Sequence, residues 1–314
     1  MCATAFMFPG QGSQYVGMGR DLYESSPAAR AVFQNADEIL GTDLSRVCFE
    51  GPEEALRQTR CTQPAIFVHS VALLTVMGDG SAPATDGVAF TAGHSLGEYS
   101  ALVASGALSF EEGLDLVRVR SEAMQQAGEE NPGAMAAIVG LSDEEVESLC
   151  AEAAAEGIVQ PANFNAPGQV VISGSIPGVM RAVELAKSHG ARLAKELSVS
   201  GAFHSPLMLP ARDPLWTALS GATIRDARIP VVANVTAQPV TDAEEIRTLL
   251  DRQLVSPVLW LGSMQKMVAE GVTTFVEIGP GRVLQGLLKR IAPEATAVGI
   301  DTPHDVEMFM KRVS

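Results

Sequence analysis

Gly87-Val88-Ala89-Phe90-Thr91-Ala92-Gly93-His94-Ser95-Leu96-Gly97 is the stretch from which the rest of this chain can be read. An apolar run of strand length passes straight into the pentapeptide Gly93-His94-Ser95-Leu96-Gly97 and then into a helix-like segment. This is G-x-S-x-G in a strand–turn–helix context. Small residues on either side let the chain turn sharply, which lifts the serine hydroxyl out of the sheet and aims it at the first free amides of the helix. Ser95 is therefore a candidate nucleophile. The competing reading is a glycine-rich turn whose serine only caps a helix. The next segment favours the nucleophile, because Leu96, Tyr99, Leu102 and Val103 share one helical face and Gly106 ends the run.

Working outward, residues 4–8 read as a short buried strand, and Pro9-Gly10-Gln11-Gly12-Ser13-Gln14 as a tight loop. Strand-like and helix-like segments alternate to about residue 125, the pattern of a parallel α/β sheet. Residues 64–77 are apolar nearly all round, which predicts a central buried helix, and 78–87 predict a surface loop.

A boundary is expected at Gly128-Glu129-Glu130-Asn131-Pro132-Gly133. Beyond it come a strand at 134–141, a helix capped by Ser142 with Glu145 completing a capping box, and strands at 158–163 and 169–175. A helix at 177–189, closed by Gly190, and a strand at 192–199 follow. The order βαββαβ is that of a ferredoxin-like module. The larger unit resumes at Ser200, with strands at 229–235 and 273–278, the turn Gly279-Pro280-Gly281, and a helix from Arg282. The predicted fold is α/β: an α/β-hydrolase-like parallel-sheet large domain (residues 1–127 and 200–314) with an inserted ferredoxin-like small domain (128–199).

Bulk properties bound the function. The chain has 314 residues, 46% hydrophobic and 19% charged, which fits a globular enzyme with a substantial core. A net charge of −15 with aromatics at 5% and no basic cluster argues against nucleic acid, whose phosphates would be repelled. The longest apolar run, 65–77, carries His69 and Ser70 and is too short to span a bilayer, so no membrane association is expected. Residues 1–6 lack a basic n-region, so no secretory signal is expected either. Cys2, Cys48, Cys61 and Cys150 form no C-x-x-C pair and read as reduced packing residues of a cytoplasmic protein. No His/Cys/Asp cluster has metal-ligand spacing, and neither a metal nor a cofactor is expected. Gly10-Gln11-Gly12 follows a strand, but Tyr15 stands where a dinucleotide fingerprint has its third glycine.

A nucleophilic serine needs a base. Of the five histidines, His69 lies in an apolar helix and reads as a core residue, His189 sits at a helix end, and His304 lies in a polar tail. His94 directly precedes Ser95, so its side chain projects away. Elimination leaves His204, in the loop Ser200-Gly201-Ala202-Phe203-His204-Ser205-Pro206. The third group is usually a carboxylate that orients the histidine. Asp115, Asp143 and several glutamates lie between Ser95 and His204, and none stands at an obvious strand-end turn.

The helix predicted at 109–127, opened by Ser109 and Glu112 as a capping box, carries two unlike arginines. Arg118 has Leu114, Asp115, Ser121 and Glu122 at i±3 and i±4 and can pair on a wet face. Arg120 has Leu116, Val117, Ala123 and Met124 there, all apolar, so it points toward the core. A buried guanidinium without an anion costs several kcal/mol, roughly, even after relaxation. Either a distant Asp or Glu supplies that anion, or the substrate does. Arginine suits bidentate carboxylate recognition, so the second reading makes the substrate an acyl donor ending in a carboxylate.

Phe8-Pro9-Gly10-Gln11-Gly12-Ser13-Gln14, Gly93-His94-Ser95-Leu96-Gly97-Glu98-Tyr99-Ser100-Ala101, Arg120, Gly201-Ala202-Phe203-His204-Ser205 and Glu277-Ile278-Gly279-Pro280-Gly281 together resemble malonyl-CoA:acyl-carrier-protein transacylases. The similarity runs in order over essentially the whole chain and includes Asn163-Phe164-Asn165-Ala166-Pro167-Gly168-Gln169 in the inserted module. The resemblance implies ping-pong transfer of malonyl from malonyl-CoA, through an ester on Ser95, to the phosphopantetheine thiol of an acyl carrier protein in fatty-acid or polyketide synthesis. It makes His204 the base, Arg120 the holder of the malonyl carboxylate, and Gln11 with the Leu96 amide the oxyanion hole. It also implies that a backbone carbonyl orients the histidine, at a position matched here by Gln253. Phe203, Met124 and Asn163 are expected around the bound acyl group, with Phe203 favouring unbranched malonyl.

Two other readings remain at this point: a serine hydrolase or thioesterase of acyl-CoA or acyl-carrier substrates, and a transferase for a methylmalonyl extender. Since carrier proteins are generally acidic, docking on this acidic chain needs a local basic patch, for which Arg282, Lys289 and Arg290 on one helix are the candidates. A monomer is expected.

Overall fold

The computed structural model describes residues 3–78, 85, 87–199 and 201–313 of the chain. Most of the loop predicted at 78–87, together with Cys2 and the resumption at Ser200, lies outside the described residues. Two sheets organise the rest. The larger takes its strands from both ends of the chain: β1 Ala3–Phe8, β2 Val88–Gly93, β7 Val231–Val232, β8 Pro239–Val240, β9 Val272–Ile278 and β10 Thr296–Ile300, in the order β10-β9-β1-β2-β7-β8. All its pairings are parallel except β7 with β8. The smaller is built from β3 Gly133–Val139, β4 Val159–Ala166, β5 Gln169–Ser175 and β6 Leu193–Glu196, antiparallel in the order β4-β5-β3-β6. With its two helices it has the ferredoxin-like order.

Alternation along β1 explains why the large sheet is covered on both sides. Phe6 and Phe8 enter one core cluster, with the Thr59–Met77 helix, while Ala5 and Met7 enter another with Trp260, Met264 and Leu284. Strands buried on both faces read as continuous apolar runs, as β1 does. The small sheet alternates differently. Ala134, Ala136, Ile138, Val170 and Ile172 pack on its own helices. Met135 and Val171 point the other way, into the main core, and line a cavity over the large sheet.

Several elements differ from the sequence prediction. The strand expected at 229–235 is reduced to Val231–Val232, because the chain turns back where Ala233 N donates to Gln238 O at 3.0 Å. The strand expected at 192–199 is Leu193–Glu196, and Leu197 and Val199 line the cavity instead. The helix predicted to end at 127 spans Phe110–Glu130, past the expected boundary at 127/128. Ser109 caps it by accepting from Glu112 N at 3.1 Å, without the reciprocal bond of a capping box. The complete box forms at Ser142 and Glu145. The Gly97–Ala104 helix is buried on every side rather than along one face.

Candidate active site

Parallel pairing in register brings the site together. Phe8 pairs with Gly93 at the carboxyl ends of β1 and β2, and Met7 pairs with Glu277 on β9. The loops after these strands emerge on one edge of the sheet, where α/β folds bind ligands. His94 N donates to Phe8 O at 3.0 Å, locking the elbow to the Pro9 loop. Ser95 adopts φ 51°, a left-handed conformation that is strained for a non-glycine residue. The flanking glycines are steric requirements. A Cβ on Gly93 would lie 1.9 Å from the Gly97 carbonyl, and one on Gly97 would lie 2.1 Å from Phe8 O. Asn234, just past β7, clamps the turn from outside. Its Oδ1 accepts from Ser95 N at 2.7 Å and its Nδ2 donates to Gly93 O at 2.7 Å. With the Ser95 amide so engaged, the Leu96 amide is the next one at the head of the helix.

His204 also has a positive φ, 59°. Its turn is held by Ser205 Oγ donating to Ala202 O at 2.6 Å and by Gln160 Nε2 donating to His204 O at 2.9 Å. His204 Nε2 lies 2.7 Å from Ser95 Oγ, and Nδ1 lies 2.9 Å from the main-chain carbonyl of Gln253. A carbonyl only accepts, so Nδ1 carries the proton and Nε2 offers a lone pair to the serine hydroxyl. Burial, reinforced by the nearby Arg120 charge, pushes the His204 pKa down to about 3 and keeps the ring neutral as a base. The missing carboxylate is thus replaced by a backbone oxygen.

Arg120 is buried, at 1% exposure, on the Phe110–Glu130 helix. Its Nη1 donates to Gln63 Oε1 at 2.6 Å. Its Nη2 donates to Gln253 Oε1 at 2.9 Å and to Ser95 Oγ at 3.0 Å. The Tyr99 ring lies 5.7 Å from its Cζ. Among the described residues no carboxylate forms an ion pair with it, so the distant-acid alternative is not realised. Arg118, by contrast, pairs with Asp115 and Glu122 on the surface.

These groups line a cavity of about 220 Å³ between the two sheets. Gln11, Leu96 and Phe203 reach it, as do Met124 and Asn163, together with Ser95, Arg120 and His204. Gln253 is fully buried beside it, touching His204 through its carbonyl and Arg120 through its side chain. His94 lines the same cavity, and its Nε2 meets Asn165 Oδ1 at 2.8 Å rather than the serine. Burial lowers its pKa as well.

Sequence reasoning missed Glu98, Asn234 and Gln63. Glu98 is buried directly after the elbow, where an acid in a first helical turn reads as an exposed dipole partner. Its neighbour Gly97, packed against Phe8 O, was the available sign that this helix start is interior. His69 is buried as expected but paired, its Nε2 being 2.9 Å from Asp301 Oδ1. Glu277 caps the Val283–Ile291 helix, accepting from Leu284 N at 2.9 Å and Gln285 N at 3.0 Å. Of the basic trio on that helix, Arg290 is tied to Pro167 O and the Gln169 side chain, while Arg282 and Lys289 are exposed.

The acyl transferase domain family matches residues 5–302. The chain is 48% identical over 312 residues to the malonyl CoA-acyl carrier protein transacylase of Bacillus subtilis, covering 99% of this chain and 97% of that protein. It belongs to the malonyl-CoA:acyl-carrier-protein transacylase family. The crystal structure of acyl-carrier-protein-S-malonyltransferase from Bartonella henselae superposes with a TM-score of 0.95 at 42% identity, covering 99% of each chain. A malonyl-transacylase solved in complex with a type II polyketide-synthase acyl-carrier protein superposes with a TM-score of 0.94 at 42% identity, again over 99% of each chain. The chain is accordingly an acyltransferase. No described helix is long and apolar enough to cross a membrane.

Proposed function

We propose that the enzyme transfers malonyl from malonyl-CoA to the phosphopantetheine thiol of an acyl carrier protein through an ester on Ser95. Ser95 Oγ attacks the thioester carbonyl while His204 Nε2 takes its proton. The amides of Gln11 and Leu96 receive the charge of the tetrahedral intermediate. The CoA sulfur leaves and takes the proton from His204. In the second half, the carrier thiol gives its proton to His204 and attacks the ester, and Ser95 departs with the proton. Each half-reaction balances without a metal or redox partner.

The observation that carries this reading is Arg120. Its guanidinium reaches Ser95 Oγ at 3.0 Å, and among the described residues no carboxylate pairs with it. It can swing onto the carboxylate of an acyl group held by that serine. Phe203, Met124 and Asn163 border the same space and bound the malonyl methylene and carboxylate in this reading. All these groups come from one chain, which fits a monomer. Free thiols at Cys48, Cys61 and Cys150 fit a cytoplasmic setting. The division into a large unit (1–127 and 200–314) and a small one (128–199) is part of the proposal, since the cavity lies between the two sheets. Exposed Arg282 and Lys289, flanking the residues Val283, Leu284 and Leu287 that line the cavity, offer the carrier a basic contact.

Incubation with radiolabelled malonyl-CoA should label the protein at Ser95, carrier should discharge the label, and Ser95→Ala should abolish it. Label surviving in the alanine variant, or free malonate released without carrier, would overturn the transfer reading.

A further inference from the structure

Glu98 has no part in the mechanism above, yet it is a buried carboxyl group that reaches both Ser95 and His204 through a single intervening residue, Gln253. Its Oε2 accepts from Gln253 Nε2 at 2.7 Å and from Asn234 N at 3.2 Å. The Gln253 side chain has opposite duties at its two ends. Its NH2 group also donates to Ser95 O at 3.0 Å, while its oxygen accepts from Arg120 Nη2 at 2.9 Å. We propose that Glu98 is a positioning residue that fixes the Gln253 side-chain amide so that Arg120 is held ready for the malonyl carboxylate. This rests on the transfer reading of the site.

The argument is one of donors and acceptors. An ionised carboxylate only accepts, so it demands the NH2 end of Gln253 and leaves the oxygen for Arg120. A protonated Glu98 can donate to the amide oxygen instead. The amide is then free to turn, and its NH2 would face the Arg120 donors with no acceptor between them. Ser95 O still favours the original orientation, so the effect is a weakening rather than an abolition.

The groups around Glu98 make its ionisation matter near neutrality. Burial raises its pKa to about 7, opposed by the bonds from Gln253 and Asn234 and by the Arg120 charge. Arg120 faces it from the Phe110–Glu130 helix, and Tyr99 is coupled to it from its own helix. Asp251 acts on Tyr99 in turn. The Ala243–Gln253 helix and the segment after β7 present the neutral amides of Gln253 and Asn234. His204 shares Gln253 with Glu98, and its ring stays neutral across this range.

The test compares malonyl-CoA with acetyl-CoA, which has no carboxylate for Arg120 to hold, in single-turnover acylation of Ser95 between pH 5.5 and 8.5. In the unaltered protein the malonyl-to-acetyl ratio of kcat/KM should rise about tenfold as pH climbs through about 7, the scale set by exchanging a charge-assisted for a neutral hydrogen bond. The rise should appear in KM more than in kcat. Glu98→Gln should hold the ratio at the low-pH value throughout, while leaving acetyl acylation within about twofold of the unaltered protein, because glutamine, like the protonated acid, is uncharged and carries both a donor and an acceptor. A flat ratio in the unaltered protein, which needs no variant to fold, overturns the proposal. A Glu98→Gln profile that still rises overturns it as well. Absence of any malonyl-serine ester in the unaltered protein overturns the transfer reading and this inference together, whereas ester formation with a flat ratio overturns this inference alone.

Discussion

Replacing Arg120 with alanine separates recognition of the acyl carboxylate from the chemistry of acylation. In the unloaded site the guanidinium serves Gln63, Gln253 and Ser95 at 2.6, 2.9 and 3.0 Å, all neutral acceptors. A malonyl carboxylate would receive two charge-assisted hydrogen bonds from this buried guanidinium. At roughly 1.5–3 kcal/mol for each such bond, Arg120→Ala should cost about 3–6 kcal/mol of malonyl binding in the acylation transition state. At about 1.4 kcal/mol per decade this is a loss of roughly 10²- to 10⁴-fold in kcat/KM. Acetyl-CoA shares every other loss, including the bond to Ser95 Oγ, so those effects cancel in the ratio of the two substrates. The ratio therefore isolates the carboxylate contact. The assay is single-turnover labelling of Ser95 with each radiolabelled donor. A malonyl-to-acetyl ratio within about threefold of the unaltered protein would refute the assignment of Arg120, however slow both reactions had become.

Two further outcomes follow from the geometry. Because burial pushes the His204 pKa down to about 3, and a base works in its deprotonated form, acetyl-CoA acylation should stay level as pH falls from 8 to 5; a fall centred near 6.5, the ordinary histidine value, would contradict the buried neutral base. Gly93→Ala would place a methyl 1.9 Å from the Gly97 carbonyl, so thermal unfolding should move down by roughly 5 °C or more and acylation should fall with it; an unchanged Tm would show that the elbow can relax around a side chain.

The features legible in the sequence were those written in local spacing. Ser95 announced itself through its glycines and Arg120 through four apolar neighbours at helical offsets, while the ferredoxin-like order showed in alternating segments. What stayed hidden depends on contacts between distant residues or on the main chain. The acceptor for His204 is a backbone carbonyl, which every residue carries, so nothing intrinsic to Gln253 could mark it and only the family resemblance did. Asn234 reaches Ser95 across 139 positions in sequence, and β7 is too short to signal that the chain pauses there beside β2. The Phe110–Glu130 helix outlasts Gly128 because Gln125 and Gln126 bond to Glu129 and Glu130 across the last turn, which offsets the glycine.

The backbone oxygen opposite His204 has a consequence for substrate choice. A hydrolase of this architecture uses an acid there, which orients the imidazole and balances the charge it acquires. A glutamate at position 253 would put a carboxylate oxygen where the Gln253 side-chain oxygen lies, 2.9 Å from Arg120 Nη2. It would form a buried ion pair with that guanidinium and so compete with a malonyl carboxylate for it. A carbonyl fixes the same histidine tautomer with no net charge, so orientation of the base and retention of a free buried cation become compatible. The amide side chain of Gln253 then completes the arrangement: it offers Arg120 a neutral oxygen that an incoming carboxylate can outcompete, and keeps the Glu98 carboxyl group one residue further back. The absent acid and the unpaired arginine are two sides of one electrostatic constraint.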